Sequence, residues 1–297
     1  MKAFLKQKLK TAARMMINAG AERIAEEIIS GSVQVNTVLA EFPRSGGSFL
    51  FFVLNHLLEN RDQLCVANPH IYASLRSSLD LDQSTSSLAK ASGLMKIDSN
   101  NGCRVLKTHA RHKTQFRSII CLYREPLCVM KSYYRFLIAS GCSDYQNLNQ
   151  LITCRHHGLP AWLDFYRSYA AAPQGSRIYF LNYADLCANP VQDIEDVLLG
   201  VFGLGLNQAG RECVGRISSV SYGQRLEEIV ISHDPRMSCE RRLIRSQSPL
   251  GQTSDELEMP ADLSIQCEEM MGWLNGSSAD TEAGTSEPQA NQHANMS

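Results

Sequence analysis

TVLAEFPRSGGSFLFFVLNHLL, residues 37–58, changes character twice. Residues 37–42 form an apolar segment of the length and composition of a buried strand, FPRSGGS breaks it, and the run from Phe49 to Leu58 continues as an apolar helix. A strand, a glycine-containing turn and a helix in this order predict an α/β unit with an anion site at the turn. Gly46 and Gly47 let the backbone approach a ligand closely, and the free N–H groups at the helix start, with the hydroxyls of Ser45 and Ser48, are donors. Arg44 adds a cation that stays charged and can fork onto phosphate or sulfate oxygens. The loop is not a Walker A motif, because the glycine spacing and the Lys before Ser/Thr are missing.

Outward from this stretch, residues 104–107 read as a short strand. SIICLY, residues 118–123, reads as a continuous apolar run of the kind a buried parallel strand shows. Pro126 opens a helix through Leu137, its fixed φ suiting a first turn. A helix bearing Trp162, Phe165, Tyr166 and Tyr169 leads to a strand over residues 177–181. Asn189 and Pro190 then form the N-cap and first turn of a helix ending near Gly203. Strands separated by helices imply parallel pairing through crossovers, hence an α/β three-layer sandwich around a central, mainly parallel sheet. Ligands of such sheets bind at the carboxyl ends of the strands. Residues 60–100 are polar and mixed, and carry little signal.

The expected organisation is an N-terminal helical extension over residues 1–32, one domain over 33–275, and a polar tail over 276–297 that stays disordered. In the extension, Lys2, Lys6, Lys10 and Arg14 accompany Phe4, Leu5, Leu9 and Met16 at helical spacing. Such a helix packs on its own domain, makes weak contact with a membrane surface through residues 1–20, or is a targeting segment, the first being the ordinary case.

Composition narrows the partners. Of 297 residues, 29 are basic and 30 acidic, a formal net charge of -1, so no global field attracts polyanions; nucleic acid is not an expected partner and any anion site is local. The ten cysteines are scattered without a C-x-x-C pair, and His156 and His157 have no second ligand pair at metal spacing. Reduced thiols, a cytoplasmic location and no metal are therefore expected. No apolar run reaches the length of a membrane span, and no cleavable signal is visible.

Further along lie the other residues with chemistry. Arg124 ends the SIICLY strand and Ser132 follows on the next helix, where an Arg and a hydroxyl can converge on one phosphate. Lys107-Thr108-His109 follows another strand. An imidazole with an ordinary pKa of about 6.5 suits removal of a hydroxyl proton near neutrality, and a lysine beside it can neutralise developing charge. His112 and Glu125 are weaker candidates for the same base.

Together, Pro43-Arg44-Ser45-Gly46-Gly47-Ser48-Phe49, Lys107-Thr108-His109, Arg124 with Ser132 and Tyr133-Tyr134, and Tyr183-Ala184-Asp185-Leu186 resemble the sulfotransferases that use 3′-phosphoadenosine 5′-phosphosulfate (PAPS). The resemblance implies a P-loop-like sulfotransferase fold and the following roles. Residues 44–49 would bind the 5′-phosphosulfate, and Arg124 and Ser132 the 3′-phosphate. Tyr183, with Ser221 and Tyr222, would hold the adenine, and His109 would act as general base beside Lys107 and Arg44. Gly47 stands where the family usually has a hydroxyl residue, and Ala184 where it has Glu. Arg245 offers a 3′-phosphate contact in a segment lacking the family's Arg-Lys-Gly. The acceptor would be a hydroxyl of a small molecule, carbohydrate or lipid, and the product 3′,5′-ADP. Two alternatives remain at this point: a P-loop small-molecule kinase, disfavoured by the missing loop lysine, and a nucleotide-binding protein without catalysis.

Overall fold

The computed structural model describes residues 37–68, 96–98, 104–114, 116, 118–139, 145–173, 175–219, 221–222 and 259–283. Strand β1 (Thr37–Glu41) enters the glycine turn, and helix α1 (Gly47–Glu59) leaves it. Two short strands follow, β2 (Leu64–Val66) and β3 (Lys96–Asp98), then β4 (Arg104–Thr108) and β5 (Ser118–Tyr123). Helices α2 (Pro126–Ala139), α3 (Leu148–Ile152) and α4 (Leu159–Ala170) precede β6 (Arg177–Asn182). Helices α5 (Tyr183–Ala188) and α6 (Pro190–Val197), a π-helical turn (Leu198–Phe202), β7 (Leu204–Leu206), α7 (Gln208–Ile217) and α8 (Ala261–Ala283) complete the described chain.

The main sheet has the order β3-β4-β1-β5-β6. Its β4, β1, β5 and β6 are mutually parallel, and only β3, at the edge, runs antiparallel. β1 is the central strand, with β4 on one side and β5 on the other. The chain therefore changes direction across the sheet at β1, and the carboxyl ends on either side of it open a crevice.

Side chains alternate across the strands and divide the core in two. Leu39, Ile120, Leu122 and Leu181 face a layer built by Leu50, Val53, Leu54 and Leu57 of α1 together with α6, the π turn and α7. Val38, Ala40, Ile119, Cys121, Tyr123 and Phe180 face the other layer, where Trp162, Phe165, Tyr166 and Tyr169 of α4 pack with α2, α3 and α8. With both faces covered, every residue of β1 and β5 is buried, and the three-layer α/β sandwich read from the sequence is present. β2 and β7 pair antiparallel in a separate two-stranded sheet.

Asn189 does precede the α6 helix, but its side chain makes no capping hydrogen bond there; Pro190 alone shapes the first turn. The α6 helix gives way to the π turn, which Gly203 ends with φ 68°. α8 continues past Gly276, where the sequence reading began the tail, to Ala283. Its anchors, Leu263, Cys267 and Leu274, are buried against the sheet layer. The Trp273 ring meets Phe180 edge-on at 5.2 Å, and Tyr123 Oη donates to Asn275 Oδ1 at 3.0 Å. The N-terminal extension over residues 1–32 lies outside the described residues.

Candidate active site at the carboxyl edge of the sheet

Four parallel strands end in register, with Ala40 opposite Thr108, Glu41 opposite Leu122 and Tyr123 opposite Asn182. The residue following each strand end is therefore delivered to the same edge. These positions hold the Phe42–Gly46 turn, His109, Arg124 and Tyr183, which are the places where the sequence put its chemistry.

The turn is left-handed at two points, Arg44 with φ 77° and Gly46 with φ 110°. A non-glycine residue in that region is strained, so Arg44 is held there by its surroundings. Its Nε donates to Ser132 Oγ at 3.2 Å, and its guanidinium lies 5.1 Å from the centre of the Phe136 ring. Gly46 is required for a second reason: a Cβ at this position would lie 2.2 Å from the Tyr183 ring. The Arg124 guanidinium sits 4.8 Å over the same ring. Burial raises the Tyr183 phenol to about 12, helped by neighbouring Cys187 and opposed by Arg124 and Arg44. Tyr183 stays neutral, with the Arg124 guanidinium over its ring and the Arg44 charge near enough to act on its phenol.

Lys107 is nearly buried. Its ammonium contacts Glu41 Oε1 at 2.8 Å and donates to Ser48 Oγ at 3.1 Å, which leaves the Ser48 hydroxyl proton to be given elsewhere. His109 is exposed, and its Nδ1 lies 2.9 Å from the backbone oxygen of Glu41. A carbonyl only accepts, so this contact puts the imidazole proton on Nδ1 and leaves Nε2 with a lone pair.

Other expectations fall differently. The Ser45 hydroxyl turns into the core: Tyr166 Oη donates to Leu122 O at 2.9 Å, so Ser45 Oγ is the donor in its own 3.3 Å contact with Tyr166. It braces the turn, and only its backbone is left to line the site. Gly47 N donates to a carboxylate oxygen of Glu41. Phe49 packs against the core. Tyr222 rests 6.4 Å from Phe52, and the Ser221 hydroxyl donates to Ser219. Arg245 lies outside the described residues.

The two alternative bases are employed elsewhere. Glu125 accepts the N–H groups of Leu127 and Cys128 at the start of α2. His112 packs edge-on against Phe116 and Tyr169 and lies 3.4 Å from the Ser176 hydroxyl, just before β6, at the amino edge of the sheet.

Glu41 escaped the sequence reading, which took residues 37–42 as simply apolar. The signal was there: a carboxylate ending a strand bound for burial demands partners. Among the described residues, no cluster of His, Cys, Asp and Glu is arranged to hold a metal, and no helix is long and apolar enough to cross a membrane.

A doubly wound sheet with a glycine turn and two arginines at its switch point defines the class of α/β proteins that take anionic ligands at the carboxyl edge. Within that class, this chain belongs to the sulfotransferase domain family, which it matches over residues 35–208. The fold is also that of mouse sulfotransferase SULT7A1, solved in complex with PAP. The match has a TM-score of 0.54 and 14% identity, covering 88% of this chain and 92% of the mouse chain. No curated protein matches by sequence.

Proposed function

We propose that this sulfotransferase takes its sulfuryl group from PAPS and passes it to an acceptor hydroxyl by in-line displacement, with His109 as general base. The observation that carries the reading is the Arg124 guanidinium over the Tyr183 ring, with the glycine turn that bears Arg44 packed against the same ring at Gly46, at the end of the sheet that also holds His109. PAPS has anionic groups at both ends of an adenosine, and two cations converging on one cleft suit it. The solved SULT7A1 holds PAP on the same fold.

The chain's own groups divide the task. Arg124 and the Ser132 hydroxyl hold the 3′-phosphate, since Ser132 accepts from Arg44 and keeps a proton to donate. Arg44, Ser48 and the backbone of the glycine turn hold the 5′-phosphosulfate. Tyr183, expected to lie against the base, also keeps Arg124 in place. His109 Nε2 receives the acceptor's proton as the new S–O bond forms. The S–O bond to the 5′-phosphate breaks, and 3′,5′-ADP leaves with that electron pair. Lys107 and Arg44 oppose the charge spreading over the sulfuryl oxygens. Acceptors of the small-molecule, carbohydrate or lipid type would enter beside His109, the exposed member of the site.

Labelled PAPS offered with a panel of hydroxyl acceptors tests this. Release of 3′,5′-ADP that depends on one acceptor class, with mass spectrometry showing that acceptor sulfated, is the expected result. Absence of 3′,5′-ADP binding in calorimetry would overturn the reading.

A further inference from the structure

Glu41 ends the central strand with its carboxylate almost wholly buried, on the floor of the glycine turn. One oxygen takes the Lys107 ammonium at 2.8 Å, and the other takes the N–H of Gly47, the first residue of α1. Both donors are groups the proposed reaction uses, Lys107 against the sulfuryl charge and the turn's backbone N–H on the 5′-phosphosulfate. A negative side chain of the protein has them instead.

Gly47 makes this possible. A Cβ there would lie 2.3 Å from the Glu41 carboxyl carbon and 2.4 and 2.6 Å from its two oxygens. These atoms are the far end of the Glu41 side chain, so a side chain at 47 fits only if the carboxylate leaves the position in which it meets Lys107 and the Gly47 N–H. The departure of Gly47 from the hydroxyl residue usual in the family and the presence of Glu41 are two halves of one arrangement.

We infer that Glu41 is a resident anion of the sulfuryl cradle, which lowers the affinity of the site for the donor and for free oxyanions such as pyrophosphate. An incoming anion must either take the donors from the carboxylate or sit against a like charge, and each alternative opposes binding. A nucleotide recovers the loss through Arg124 and Ser132 at its other end. A small oxyanion has no such second grip, so the selection falls hardest on it. This inference rests on the proposed donor site.

Calorimetry on the full chain and on Glu41→Gln tests it, with 3′,5′-ADP and inorganic pyrophosphate as separate titrants. Glutamine keeps the size and an acceptor for Gly47 N–H while removing the charge. It is expected to bind 3′,5′-ADP about tenfold tighter or more and to gain pyrophosphate binding, whereas the charge-retaining Glu41→Asp gains neither. A carboxylate serving only to brace the turn would leave affinity unchanged or weaker in Glu41→Gln, and that result overturns the inference while leaving the proposed function intact. If neither the native chain nor the variant binds 3′,5′-ADP, the proposed function fails and takes this inference with it. The double variant Glu41→Ala/Gly47→Ser gives the same reading should Glu41→Gln not fold. It is expected to bind more tightly than the native chain, and to melt higher than Gly47→Ser alone, which sets a side chain against the carboxylate.

Discussion

His109 and His112 stand three residues apart and belong to different worlds. His109 is exposed at the carboxyl edge, its Nδ1 fixed by a strand-end carbonyl and its Nε2 left with a lone pair. His112 has turned toward the amino edge, where its ring is wedged between Phe116 and Tyr169 and burial lowers its pKa below the ordinary value. The connection between β4 and β5 must return along the whole sheet, so a step of three residues separates an exposed imidazole from a packed one. The carboxyl edge concentrates charge and strain, while the amino edge concentrates aromatic contact.

Substitutions sharpen or break this contrast. His109→Ala should lower turnover by about 10²–10⁴-fold while 3′,5′-ADP still binds, the range lost with a general base. His112→Ala should lower the melting temperature and leave the acceptor reaction running. Reversal of the two outcomes in parallel assays would exchange the roles given to the two edges. Arg124→Ala should weaken 3′,5′-ADP by about 1.5–3 kcal/mol, the size of a charge-assisted hydrogen bond, as read by calorimetry. Unchanged affinity would mean that Arg124 serves only its contact with Tyr183.

At the packed end, Tyr169→Phe removes the hydroxyl that donates to Ala110 O at 2.8 Å. It should cost about 0.5–1.5 kcal/mol in denaturant unfolding with no change in donor affinity. The smallest effect concerns pH. A histidine whose pKa is lowered by folding binds protons more readily when unfolded. His112 therefore contributes stability above the unfolded value of about 6.5 that is lost as pH falls through its lower folded value. The decline in melting temperature below pH 6.5 should be shallower in His112→Phe, and an identical decline would assign the pH dependence to other groups.

Much of this was readable where local pattern and tertiary need agree. SIICLY became β5 residue for residue, because a strand buried on both faces must be apolar throughout. The glycine turn, His109 and Arg124 were placed by motif, and the parallel register then brought them to one edge. β2, β3 and β7, of three residues each, are too short to show a period, and the sequence did not disclose them. The motif ranked His109 above His112, but a single sequence could not turn His112 to the amino edge or draw the Ser45 hydroxyl toward Tyr166, because both depend on partners distant along the chain. Glu41 is the instructive case. It was hidden by the apolar company it keeps, and its meaning emerged only when Gly47 and Lys107 were seen around it.

Arg44 sets a limit on how far this chain can be made robust. A left-handed backbone costs a residue other than glycine about 1–2 kcal/mol, and glycine at position 44 would remove that cost. The same replacement would delete a guanidinium from the cleft. Thermostability engineering guided by backbone strain alone would choose this position early and obtain a hardier protein without one of the two arginines of the proposed donor site.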